Sequence, residues 1–485
     1  MDFHSWLLPT IFVLFFSCIM IWKKSSMRTS NLNLPPSPPR LPIIGNLHQV
    51  ISNSLHRRFW KMSQTYGPIM LLHFGSQPFI MISSSELAAE ALKTHDNILS
   101  TRPYSRTLER LSYNYMDVVF SPYGEHWKLM RKVLVTEFLG SKRTKFFKRV
   151  QDAELKNLLD SLAYGTVVNF DDIIKNLVVD IVCKITVGKS YREVKFRGTT
   201  LEEMLDEFII LFMGSFSEIY PKYGWILEDL SGFTRRLDKH MKNYDGFLEM
   251  ILDEHIDHTS DDEKDLIDAC RSSMTRDEIK GLITNVFNGA IDTTSTTTVW
   301  AMSEIVKNPK VLQKLQDEIR SCSRGKSQLD ESDIANMTYL KLVVKETLRM
   351  HAPPPMLITR ECVSPIQIGG YDILPGTRVL INSWGIGRDP RVWTNPNKFN
   401  PERFENQVVG KFDMIPFGGG RRSCPGFNFS TSAIEIFLAN LLYNIDWKLP
   451  NEMMNKDLDM TEEGSLFIVR KTPLCLIPSK HNWEV

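Results

Sequence analysis

Residues 416–426 read PFGGGRRSCPG, and this stretch near the carboxyl end decides the fold. Phe417, Gly420, Arg422, Cys424 and Gly426 form the pattern F-x-x-G-x-R-x-C-x-G. Five fixed positions at about 5% usage each give a chance match on the order of 10⁻⁴ in a chain of this length. A lone cysteine is ordinarily an inert buried thiol, but its neighbours here point elsewhere. The glycines let the backbone bend close to a flat group. Backbone N–H groups aimed at the sulfur hold it as a thiolate and tune its donor strength. Arg422 offers a cation to a carboxylate, and Phe417 can keep water from the sulfur. No G-K-[ST] follows the glycines, so this is not a phosphate loop. The seven cysteines are odd in number and include no C-x-x-C pair, which makes a poor disulfide framework and a poor zinc site and suits a reducing compartment.

Working outward, Glu346 and Arg349 stand three apart and so share a helical face, and Arg403 follows in Pro-Glu-Arg-Phe at 401–404. Trp127 and Arg131, four apart, share a face in the same way. Thr275 with Glu278 makes a capping box, and Asn308-Pro309 is a stop, so one long helix is expected over 275–308. Inside it lies Gly289-Ala290-Ile291-Asp292-Thr293-Thr294. This is poor helix chemistry, and a kink or bulge is expected there. A second helix is expected near 339–351, ending on three prolines, with short strands at 69–74, 79–82, 366–368 and 378–381. The fold class is mainly α with a minor β-sheet region.

Residues 6–22, WLLPTIFVLFFSCIMIW, carry no charge and are followed by Lys23, Lys24 and Arg28. About 17 residues is the lower limit for a bilayer span, and the flanking tryptophans and basic cluster set the C-terminal side as cytosolic. The expected organisation is a membrane anchor at 1–22, a basic and proline-rich linker at 23–45, and one large domain at 46–485. A net charge of +1 gives no global attraction to nucleic acid.

Together these stretches resemble the cytochrome P-450 family in its plant microsomal form, over essentially the whole chain. The resemblance implies the cytochrome P-450 fold preceded by one N-terminal transmembrane helix, and a haem b held by Cys424. A thiolate ligand of this kind favours O–O cleavage. By the same resemblance Trp127, Arg131, Arg360 and Arg422, and less directly Arg102, hold the haem propionates. Phe417, Gly420 and Gly426 shape the cofactor loop. Asp292 and Thr293 are the acid and alcohol that deliver protons to oxygen, and Glu346, Arg349 and Arg403 form a structural triad. The family carries Gly where this chain has Ala290.

Substrate contacts are expected from 104–120, 207–216, 285–293, 356–359 and 464–467. They include Asn285, Gly289, Ala290, Met356, Leu357, Ile358 and Leu466, with Asn288 as a further polar handle. These segments are mostly apolar, so a lipophilic small molecule is expected. No nucleotide-binding glycine motif follows a strand, so NADPH acts only through a partner. That partner is expected to be NADPH–cytochrome P-450 reductase, with cytochrome b5 as a second, docking on Lys128, Lys132, Lys142, Arg143, Lys145, Lys148 and Arg149. The expected activity is oxygen insertion into a terpenoid, alkaloid or phenolic at the endoplasmic reticulum membrane. The alternatives are an aldoxime dehydratase or ring-forming oxidase, and a membrane haem carrier or sensor.

Overall fold

In the computed structural model, residues 32–51, 54–140, 143–256, 265–322, 325–464 and 466–483 are described. The expected anchor at 1–22 and the first part of the linker lie outside the described residues. Among the described residues no helix is long and apolar enough to cross a membrane.

The long helix runs over Arg276–Lys307. The Thr275 hydroxyl accepts from the Glu278 N–H, while the Glu278 carboxylate accepts from the Thr275 N–H at 2.8 Å, so two otherwise unpaired donors are met. At the far end Pro309 opens the next helix, Pro309–Cys322, the position where its missing N–H costs nothing. The expected bulge is absent, because the segment is α-helical throughout. The physical reason lies in the hydroxyls themselves. Thr293 donates to Gly289 O at 2.6 Å, Ser295 to Ile291 O, Thr297 to Thr293 O and Thr298 to Thr294 O. Each hydroxyl is satisfied inside the helix, so a polar run can be buried without opening the backbone. The π-helical turns fall elsewhere, at Glu90–Thr94 and Leu134–Phe138.

This helix is the axis of the main core. Phe170–Val187 packs along it, apolar on nearly every face, and Thr338–Met350 and Phe427–Tyr443 close around it. A four-stranded sheet lies to one side, in the order Ile69–Phe74, Gln77–Ile82, Arg378–Ile381, Arg360–Glu361. The first pair is antiparallel, with Phe74 opposite Gln77 across a turn at Gly75. The second pair is parallel, Phe79 to Arg378 through Ile82 to Ile381. This register delivers Arg360 on the edge strand to the 416–426 loop.

Glu346, Arg349 and Arg403 meet in the interior. Arg349 donates to both oxygens of Glu346 at 2.7 and 2.9 Å, and Arg403 donates to Oε1 at 2.9 Å. The remaining Arg403 donors reach the carbonyls of Thr394 and Lys398, and Asn400 N–H completes the carboxylate. All three side chains are closed to water. A buried charge survives only when paired in this way. Arg403→Ala is therefore expected to cost about 3–5 kcal/mol, read as a fall in the denaturant midpoint, and an unchanged midpoint would contradict the role assigned to this network.

Candidate active site

The 416–426 loop, the central helix and the Val118–Phe120 segment enclose a cavity with about 1840 Å³ of empty space, its mouth included. The wall is mostly apolar: Val119, Phe120, Phe208, Ile209, Phe212, Leu357, Ile358, Leu466 and Phe467 all border it.

Cys424 is the only cysteine on that wall among the described residues. Its position comes from a tight local fold. Cys424 N–H donates to Phe417 O at 2.9 Å, and Ser423 N–H donates to Gly420 O at 3.1 Å. Arg131 then donates to Ser423 O at 2.7 Å, tying the 125–133 helix to the loop. Phe417 meets Phe427 edge to face at 4.8 Å beside the sulfur. Burial pushes the Cys424 thiol up, while the Gly426 N–H and the Arg131 charge pull it down. A bound metal ion would decide that balance, since it displaces the thiol proton outright.

Four guanidiniums border the cavity, from Arg102, Arg131, Arg360 and Arg422, and no carboxylate does so among the described residues. Burial, and then the charge of Arg360, push Arg422 down to about 9. Arg102 is lowered by burial and then by Arg422. Such crowding of like charge in low dielectric calls for an anion. Trp127 is not on the wall. Its indole N–H donates to Val118 O at 3.0 Å, and its ring lies 4.5 Å beneath the Arg422 guanidinium, so it supports an arginine rather than facing the cavity. Gly420 also faces away from the wall.

Gly289, Ala290, Thr293 and Thr294 present one face of the central helix to the cavity. Asp292 sits behind them, half-buried. Burial pushes its carboxyl up to about 6, opposed by Lys175 and reinforced by Asp206 and Glu202. Lys175 itself pairs with Glu202, so Asp292 backs onto a charged cluster at the protein surface.

Asn285 borders the cavity, but its side chain is already spent. Its Oδ1 accepts from the N–H groups of Val118 and Val119 at 2.9 and 3.1 Å, and its Nδ2 donates to the buried Asp117 at 3.0 Å. It therefore fixes the wall instead of offering a hydrogen bond to a ligand. Asn288, likewise on the wall, donates to Thr284 O. Met356 turns away, packing on the cluster around Phe59 and Met70, whereas Leu357, Ile358 and Leu466 line the cavity. Sequence reasoning missed Asp117, whose partner Asn285 lies 168 residues away, and Lys175, which pairs with Glu202 on another helix. It also missed Leu134, Phe138 and Ile185, which complete the wall.

Comparison with known proteins agrees with this geometry. The cytochrome P450 family model matches residues 35–476. Eupatolide synthase of Helianthus annuus is 62% identical over 482 residues, 99% of this chain and 98% of that protein. Parthenolide synthase of Tanacetum parthenium is 51% identical over 502 residues, 99% of both. A zebra fish cytochrome P450 solved with abiraterone matches at a TM-score of 0.74 and 24% identity, covering 88% of this chain and 99% of that one; this last likeness bears on the fold alone. The chain belongs to the cytochrome P450 family and is a haem-thiolate monooxygenase that draws its electrons from a redox partner.

Proposed function

We propose that this chain oxidises a terpenoid of plant specialised metabolism, with Cys424 as the residue that would hold its haem iron. The observation that carries this reading is the position of Cys424, alone of the cysteines among the described residues in bordering the cavity that Thr293 also borders. Bound haem supplies the oxygen-activating iron, to which the thiolate donates electron density. The four wall arginines fit a dicarboxylate such as the haem propionates, with Arg131, Arg360 and Arg422 nearest the cysteine loop and Trp127 holding Arg422 in place.

Substrate class rests on the relatives. Eupatolide synthase and parthenolide synthase carry the -olide names of lactones, and a terpenoid of that kind suits an apolar wall of Phe120, Phe208, Phe212, Leu357, Ile358 and Leu466. Gly289 and Ala290 leave room beside the helix for oxygen. Thr293 holds its hydroxyl at the cavity edge, and Asp292 passes protons to it from the Lys175–Glu202–Asp206 cluster.

Residues 1–22 are read as an anchor in the endoplasmic reticulum membrane, 23–45 as its linker and 46–485 as the cytosolic haem domain. The redox partner is NADPH–cytochrome P450 reductase, with cytochrome b5 as a second donor. Support for docking near the cysteine loop comes from Tyr123, whose ring lies under both Lys128, at 5.7 Å, and Arg421, at 5.6 Å. Lys132, Lys145 and Arg149 add exposed basic side chains, while Arg143 and Lys148 are half-buried; Lys142 lies outside the described residues. Such a patch steers an acidic partner.

Cys424→Ser is expected to abolish the thiolate-type absorption band of the reduced carbon monoxide complex. Thr293→Ala should keep that band while sending a larger share of the electrons to hydrogen peroxide; full, coupled product yield from Thr293→Ala would refute the role of its hydroxyl. A separate test concerns pH. Turnover limited by proton delivery should show an inflection near pH 6, where Asp292 titrates. The Lys175 ammonium favours the Asp292 carboxylate, so Lys175→Met removes a lowering influence and the inflection should move to higher pH. A downward shift, or none, would exclude Asp292 as the titrating group.

A further inference from the structure

The backbone on either side of Gly420 is gripped by two charged side chains that are themselves paired. Before it, the Gly419 carbonyl accepts from Arg360 Nη2 at 2.8 Å. After it, the Arg421 N–H donates to the two oxygens of Asp96 at 3.2 and 3.0 Å. Arg360 Nη1 closes the bracket by donating to Asp96 Oδ1 at 3.4 Å. Asp96 also accepts from the Arg421 guanidinium at 2.9 Å and from the Ser100 hydroxyl at 3.3 Å. Asp96 and Arg360 are 6% and 3% exposed, so the pair is screened little by water.

The fit is close as well as charged. Gly420 has φ +69°, and a Cβ there would lie 2.2 Å from Asp96 Oδ1 and 2.6 Å from Leu92 O. That distance leaves no space for a side chain, so the glycine of the cysteine pattern answers to Asp96 and Leu92 and not to a flat group in the cavity. The π-helical turn Glu90–Thr94 precedes Asp96 directly, and its wider winding brings Leu92 O and the carboxylate to the same point. Four residues beyond Gly420 stands Cys424.

From this geometry we infer that Asp96 is a positioning residue for the Cys424 loop, fixing the backbone that presents the sulfur while holding Arg360 at the cavity wall. Charged hydrogen bonds to backbone groups beside a metal ligand set both its orientation and its donor strength. The inference rests on Cys424 as the haem ligand.

The test uses the full-length, haem-loaded protein and two readouts besides turnover. The first is the rate at which the thiolate-type band of the reduced carbon monoxide complex is lost, measured well below each variant's own unfolding midpoint. The second is the rate of haem transfer to excess apo-globin. Asp96→Ala removes charge and acceptor together, and both rates are expected to rise several-fold. Asp96→Asn keeps one acceptor oxygen for the Arg421 N–H and should fall between Asp96→Ala and the wild type. Arg421→Ala leaves the backbone bond intact and should stay near the wild-type rates, which keeps the comparison informative if Asp96→Ala fails to fold. Wild-type rates in both Asp96 variants, or band loss only as they unfold, would overturn the inference. A wild-type protein without the thiolate-type band would instead overturn the assignment of Cys424.

Discussion

A thiol that must face a cavity cannot be held by its own side chain, since any group packed on the sulfur would occupy the site it serves. The constraint falls on the backbone around it. In this chain four backbone carbonyls between Phe417 and Ser423 are taken by specific partners. Phe417 O accepts from Cys424 N–H, Gly419 O from Arg360, Gly420 O from Ser423 N–H, and Ser423 O from Arg131. The loop is therefore held through its backbone, while Cys424 still borders the cavity. Two of those partners, Arg360 and Arg131, also border the cavity, so the devices that hold the sulfur and the charge that meets an anionic group are the same side chains.

The central helix answers a similar demand by a different route. It must run through the core and yet carry hydroxyls and a carboxylate. The hydroxyls of Thr293, Ser295, Thr297 and Thr298 fold back onto carbonyls four residues earlier, while that of Thr294 pairs with the Ser430 hydroxyl, so the polar run is satisfied without cost to the ladder. Asp292 has no such local outlet. It lies on the side of the helix where Lys175 supplies a positive charge, and burial raises its carboxyl to about 6. Acid and alcohol sit in adjacent positions, but they face a charged surface cluster and an apolar cavity respectively.

What could be read from the chain alone follows the range of the interactions. Local signals were legible: the Thr275–Glu278 cap, the strands Ile69–Phe74 and Arg378–Ile381, and the stop at Pro309 each depend on neighbours within a few residues. The cysteine pattern was legible because five spaced residues carry one chemistry. The Asp96–Arg421 contact spans 325 residues and the Val118–Asn285 contact 167, and nothing in periodicity reports such pairs. The glycines misled for the same reason. Gly420 invites an account in terms of the cavity, while the group that excludes its side chain belongs to a turn near residue 96. The expected bulge failed on a choice that composition leaves open, since a buried threonine can either open a helix or close back on it.

Ala290 shows how far a single methyl can be followed. The resemblance implies glycine at this position, whereas here the glycine stands one place earlier, at Gly289. One residue along a helix is a rotation of about 100° and a rise of about 1.5 Å. Around Gly289 nothing lies within 4 Å of where a Cβ would be, so this chain keeps an open notch on the helix. Ala290 meanwhile packs partly against the main core and still borders the cavity. The free volume next to Thr293 thus lies at Gly289. Thr293 is four residues from Gly289 and donates to its carbonyl, so the notch and the hydroxyl lie on one face, stacked a single turn apart.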